Sequence, residues 1–163
     1  MGYTSTQACI EDLERNGHLV RIQEEVDANL EMAAIHLRVF ENNGPAILFE
    51  NIKGCKFKAV SNLYGSVDRS KFIFRDTIDT IKTLIELKNN PLQAIKHPFK
   101  YAGTSLAALK AWPKKINFSG SALRHETTIA QLPQIKCWPH DGGAFVTLPL
   151  VYTEDVDHPG VMQ

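Results

Sequence analysis

Ligating or reactive side chains come close together in only two places, His125-Glu126 and the group Cys137, His140 and Asp141. Cys137 and His140 have the Cys-x-x-His spacing that supplies two zinc ligands. A structural zinc site needs four, and no second pair of matching spacing accompanies them. The same two residues read as nucleophile and base fare no better. They lie on one turn-forming stretch, where two side chains rarely face one substrate, and no third group is evident to orient the base. The favoured reading is a buried thiol beside an exposed imidazole. Glu24, Glu25 and Asp27 form a short acidic run that reads as a solvated strand end and helix cap, not as paired carboxylates for acid-base work. Glycine-bearing turns at Asn51 to Gly54 and Asp141 to Gly143 match neither a P-loop nor a dinucleotide fingerprint. The residues alone therefore assemble no catalytic machinery and no metal site.

The elements that must position these groups are clearer. Thr4 with Gln7 reads as a capping box for a first helix, with Ile10 and Leu13 on its inner face and Gly17 as its stop. HLVRIQEEV reads as a strand, Val20 and Ile22 on one side and Leu19, Arg21 and Gln23 on the other. Asp27 or Asn29 then caps a second helix with Leu30, Ala33, Ala34, Leu37 and Phe40 as its buried stripe, ended by Asn43-Gly44-Pro45. AILFEN and FKAVSNLYG read as strands. VDRSKFIF and DTIDTIKTLIELKN read as helices, the latter capped by Asp76 and burying Ile78, Ile81, Leu84 and Ile85.

Residues 91–115, punctuated by Pro91, Pro98, Gly103 and Pro113, read as a connector with one helical piece near SLAALKAW. INFSGSAL, TTIAQLPQI and AFVTLPLVYT then read as strands. CWPHDGG is the tight lead into the last of them, because Pro139 restrains the backbone while Gly142 and Gly143 free it. The expected fold class is an α/β (α+β) domain over 1–90, the connector over 91–115, and over 116–163 the start of an all-β unit. Three strands are too few to close a barrel, so that unit is expected to be incomplete.

Composition excludes more than it selects. Lys+Arg and Asp+Glu both number 18 in 163 residues, so the broad basic surface of a phosphate-binding nucleic-acid protein is absent. No apolar stretch approaches the roughly 18 residues that cross a bilayer, and the N-terminus is too polar for a signal peptide. MGYTST fits a myristoylation pattern only loosely. Three widely spaced cysteines suit free thiols in a reducing cytoplasm.

Four phrases, CIEDLERNGHLVRIQEEVD, LEMAAIHLRVFENNGPAILFENIKG, AVSNLYGS and LPQIKCWPHDGGAFVTLPLVYTEDVDHPG, occur in an order that resembles the UbiD-like carboxy-lyases over nearly the whole chain. The resemblance implies an N-terminal α/β domain followed by a split β-barrel like that of flavin reductases, with only its opening strands inside 116–163. It implies decarboxylation, in reversible fashion, of an α,β-unsaturated or aromatic acid such as a polyprenyl-hydroxybenzoate of ubiquinone biosynthesis. The implied cofactors are prenylated FMN with a divalent metal (Mn or Mg) and potassium. The implied protein is a cytoplasmic homo-oligomer without nucleic-acid or transmembrane contacts, acting on a small carboxylic acid. In such proteins the metal-binding Asn, an Arg, a His and the carboxylates fall beyond the position of Gln163. No catalytic residue and no metal ligand is thus expected in this chain, which alone would be inactive and architectural. One cofactor-binding residue is expected, Thr147, whose hydroxyl would hydrogen-bond the flavin. Pro149 departs from the small or aromatic residue expected there. The alternative is a stand-alone, non-catalytic domain that binds a partner through an exposed β-edge, and truncated strands at 116–155 would favour pairing with a second copy.

Overall fold

The protein is described by a computed structural model that covers residues 2–90, 125–147, 153–158 and 160. Helix α1 spans Thr6–Arg15, and its cap is Ser5, not Thr4. Extended backbone at Ser5 lets its side chain accept from the Ala8 N–H at 3.2 Å, while Gln7 turns to Glu11 at 2.8 Å. Gly17 stops the helix as expected, at φ 72°, and the His18 N–H donates to the Leu13 carbonyl at 2.8 Å across it.

Strand β1 (Leu19–Val26) pairs in parallel with β2 (Ala46–Ile52) through the crossover helix α2 (Glu31–Glu41), and β2 pairs antiparallel with the short β3 (Ala59–Ser61). The sheet order is β1-β2-β3, so β2 is central and nearly all of it is buried. Its alternation feeds two cores. Ala46 and Leu48 join Ile10, Leu13, Leu19 and Ile73 on one face, under α1 and α3 (Val67–Ile73). Ile47, Phe49 and Ile52 join Val26, Ala28 and Met32 on the other, under α2. The expected alternation of β1 holds at Leu19 and Ile22, which face opposite cores, although Val20 stays half exposed on this edge strand.

The inner stripe of α2 is Met32, Ile35 and Val39, whereas Leu37 and Phe40 are exposed. The helix begins only at Glu31, after Leu30 at φ 71°, and the crossover aims a different face at the sheet. Helix α4 (Ile78–Asn89) is capped by Thr77, without a side-chain cap bond, and not by Asp76. None of its residues is buried; Ile81 and Ile85 are about half exposed, because no described residue covers that face.

The chain between 91 and 124 lies outside the described residues, and with it the expected connector, INFSGSAL and the SLAALKAW helix. Among the described residues no strand follows β3. TTIAQLPQI, expected as a strand, is a short 3-10 turn at Ile129–Gln131 followed by extended chain. Pro133 lacks a ladder donor, and the Gln134 side-chain amide donates to the carbonyls of Ile129 and Leu132 at 2.8 and 2.9 Å in place of a neighbouring strand. Residues 144–147 are likewise not in a strand, and 148–152 lie outside the described residues. No described helix is long and apolar enough to cross a membrane.

Residues 125–147 instead return to the α/β unit. The Lys136 N–H donates to the Ala28 carbonyl at 3.1 Å and its carbonyl accepts from Leu30 at 3.0 Å, a parallel bridge beside Asn29. Ile135 packs on the second core, and Cys55 Sγ donates to the Gln131 carbonyl at 3.3 Å.

A polar clasp closes the first face. Asp12 Oδ2 accepts from the Tyr3 hydroxyl at 2.7 Å and from Arg75 Nη2 at 2.6 Å, and Arg75 lies 4.1 Å from the Phe72 ring centre. The Tyr3 hydroxyl and Arg75 hold the Asp12 carboxyl below its ordinary range. A depressed folded value means that the stabilising effect is complete above the ordinary carboxylate pKa and is lost as pH falls through the folded one. We expect the urea midpoint to fall across that acid window, and Asp12→Asn to flatten the fall while lowering stability at neutral pH. An unchanged acid slope in the variant would refute this.

Candidate functional site

Thr147, the one expected cofactor contact, is exposed and follows a closed loop. The Phe145 N–H donates to the Ile135 carbonyl at 2.9 Å, so residues 136–144 loop out between two points that meet. Within that loop one Asp141 carboxylate oxygen accepts from the Cys137 N–H at 3.1 Å and the Trp138 N–H at 2.8 Å, while the Asp141 N–H donates to the Trp138 carbonyl at 3.1 Å. An Asp that accepts two consecutive amides fixes a tight turn, which here is what CWPHDGG is for. Trp138 is thereby held 65% exposed, with His140 exposed beside it. Cys137 is half-buried, and its amide, not its sulfur, meets the acidic residue of this turn. The structure thus brings Cys137, Trp138 and Asp141 together as a turn and does not join Cys137 to His140 as nucleophile and base. Among the described residues no group of three or more His, Cys, Asp or Glu side chains is arranged to hold a metal ion. Neither Asp27 nor Asn29 caps α2, whose N-cap is Leu30 without a side-chain cap bond; the Asp27 carboxylate instead accepts from the Asn29 N–H at 2.8 Å in the turn before the helix and pairs with Lys53 at 3.1 Å.

Among the described residues the most buried charge lies elsewhere. Arg69, on α3, is only 3% exposed. Its guanidinium donates to the carbonyls of Asn62 (2.7 Å from Nη2), Leu63 (3.1 Å from Nε) and Gly44 (3.0 Å from Nη1). Burial pushes its pKa down from the usual value, and no carboxylate pairs with it among the described residues. Asn62, 7% exposed and at φ 59°, donates through its side-chain amide to the carbonyls of Gly44 (3.2 Å) and Pro45 (2.9 Å). Its Oδ1 is buried without a hydrogen-bond partner. Gly65 is required beside it, since a Cβ there would overlap the Asn62 amide. Ser66 accepts from the Arg69 N–H at 3.2 Å and starts the helix that delivers the arginine. Arg69 also borders a cavity of about 270 Å³ lined by Gly17, His18, Asn43, Pro45, Ser66 and Asp68. On the other side of Gly65 a shallow groove of about 430 Å³ runs between Tyr64, Val67, Phe74 and Ile78.

Sequence reasoning passed over Asn62 and Arg69. The available signal was the spacing of Arg69 and Ile73, four apart on one helical face, which places a cation on the buried side.

Two family models match the chain in succession, the 3-octaprenyl-4-hydroxybenzoate carboxy-lyase N-terminal domain over residues 10–88 and the Rift-related domain of the same carboxy-lyase over residues 113–163. Together the two models cover most of the chain as successive parts of one family. The chain belongs to the UbiD family. It is 36% identical over 157 residues to an uncharacterized protein of Chlamydia caviae, covering 94% of this chain and 27% of that one. It is 34% identical over 141 residues to a subunit of the 4-hydroxybenzoate decarboxylase of Chlamydia pneumoniae, covering 83% of this chain and 24% of that protein. The chain thus spans about a quarter of the length of these relatives. Among solved structures, the vanillic acid decarboxylase of Sedimentibacter hydroxybenzoicus in open form matches at 34% identity and TM-score 0.42, over 44% of this chain and 16% of that one. The UbiD-class enzyme HmfF from Pelotomaculum thermopropionicum, in complex with FMN, matches at 29% identity and TM-score 0.37, over 40% and 14%.

Proposed function

We propose that this chain forms the α/β unit and the opening of the flavin-binding region of a decarboxylase that acts reversibly on an α,β-unsaturated or aromatic carboxylic acid with prenylated FMN. The observation that supports this most is the order of the two carboxy-lyase models along one chain, together with the likeness to part of a 4-hydroxybenzoate decarboxylase. The cofactor would act as a dipole that adds to the substrate, and the protein would place it and move protons. Thr147 contributes a hydroxyl to the flavin in this reading. The divalent metal and potassium find no donor cluster among the described residues, so no step is assigned to them here. The part played by residues 1–163 is architectural: they pack beside the flavin region and shape the approach to it, and by themselves they hold no flavin. The split β-barrel, assembly with further copies and a cytoplasmic setting belong to the same reading.

The test uses the protein that carries this chain, supplied with prenylated FMN and a panel of aromatic and unsaturated acids. Carboxylate exchange with labelled bicarbonate is expected only with the flavin present. Thr147→Val should weaken flavin binding about three- to tenfold, the worth of one hydrogen bond. No exchange with any acid of the panel despite bound flavin would overturn the assignment. Flavin bound tightly by residues 1–163 alone would overturn the architectural role.

A further inference from the structure

The start of α2 holds a conformation that its sequence does not favour. Leu30 sits at φ 71° and ψ −34°, and the Glu31 N–H donates across it to the Asn29 carbonyl at 3.0 Å. This is a γ-turn of positive φ, a strained arrangement for a branched side chain. Local bonds brace it: the Met32 N–H donates to the Asp27 carbonyl at 3.1 Å, and the Asp27 N–H donates to Glu31 Oε2 at 2.7 Å. The remaining brace is remote, since the Leu30 N–H donates to Lys136, whose own N–H returns to Ala28. Ile135, next to it, is anchored in the second core.

We infer that residues 131–137 are a strap whose seating is coupled to this turn. With the strap seated, Leu30 is locked at positive φ and the first turn of α2 is fixed; with the strap released, Leu30 relaxes and that turn frays. A residue held in a sparsely populated conformation by a distant partner has two arrangements to choose between, which is what coupling requires. The loop that carries Trp138 and Asp141 closes on Ile135 through the Phe145 N–H, so displacement of that loop is transmitted to α2. The units matched by separate family models then behave as one mechanical body at this corner. The inference holds whether or not the chain serves a flavin enzyme.

Amide hydrogen exchange on the full chain tests it with two variants. Ile135→Asp evicts the strap, and exchange at Leu30, Glu31 and Met32 is expected to rise on the order of tenfold while amides of α1 keep their protection. Leu30→Gly removes the strain that seating imposes, and the Lys136 amide is expected to exchange at least about threefold more slowly, a result that a merely structural contact would not give. Unchanged exchange at 30–32 in Ile135→Asp would overturn the coupling. So would a loss of protection that extends equally to α1, and so, independently, would Lys136 exchange in Leu30→Gly that is equal or faster.

Discussion

Arg69→Met is expected to cost about 2–4 kcal/mol of folding stability, read from urea denaturation, although it removes no carboxylate partner. The guanidinium is the shared donor for three carbonyls, those of Gly44, Asn62 and Leu63, that border the turn after α2 and the turn before α3. A methionine fills similar space but removes the donor of the Leu63 carbonyl and leaves the Gly44 and Asn62 carbonyls with only the Asn62 amide and the Gly65 N–H, and an unmet buried acceptor costs about 1–3 kcal/mol. Arg69→Lys tests the geometry apart from the charge: one ammonium on a flexible stem cannot reach three carbonyls as a planar fork does, so it should recover less than half of the loss. Asn62 amplifies the effect, because its amide holds the Gly44 and Pro45 carbonyls from the same side. If Arg69→Met lies within about 1 kcal/mol of the parent, the Arg69 guanidinium is not what keeps these turns together.

Much of the α/β unit was legible because local signals agree there. Ser5 lies one residue from the expected cap, Gly17 and Asn43-Gly44-Pro45 end their helices as read, and the run AILFEN is buried on both faces as a central strand requires. The stripe of α2 was misread because that helix is apolar over much of its circumference. Leu37 and Phe40 have helical spacing as good as that of Met32, Ile35 and Val39, and only the crossover geometry chooses between them. For α4 the periodicity correctly gave a helix, but periodicity cannot supply the surface that should cover Ile81 and Ile85. The strap was invisible for a different reason: a single bridge between Asn29 and Lys136 joins positions too far apart for any window of pattern to connect. Arg69 and Asn62 carry no chemical pattern of their own in the sequence, and nothing short of the fold reveals that the carbonyls they serve are gathered at one corner. At CWPHDGG the expectation of a tight turn was sound, yet its physical agent is the Asp141 carboxylate, with Pro139 and the glycines permitting what that residue enforces.

Phe49→Ala should remove about 3–5 kcal/mol, since it deletes the largest fully buried side chain of the central strand and leaves a cavity under α2. Against a typical total of about 5–15 kcal/mol, that places the variant near the edge of folding, while Phe49→Leu should cost under about 1.5 kcal/mol if the core repacks. The more informative outcome concerns the opposite face. Phe49 pairs with Ile22 and Ala59 along the ladder, and its neighbours Leu48 and Ala46 point the other way, into the core under α1. A cavity on one side therefore weakens the strand on which the other side is built. Exchange of the α1 amides should accelerate by the same factor as those of α2, with a single urea transition by circular dichroism and by exchange. If α1 kept its full protection while α2 opened in Phe49→Ala, the two faces would be separate folding units, and β2 would be a boundary between them instead of their common support.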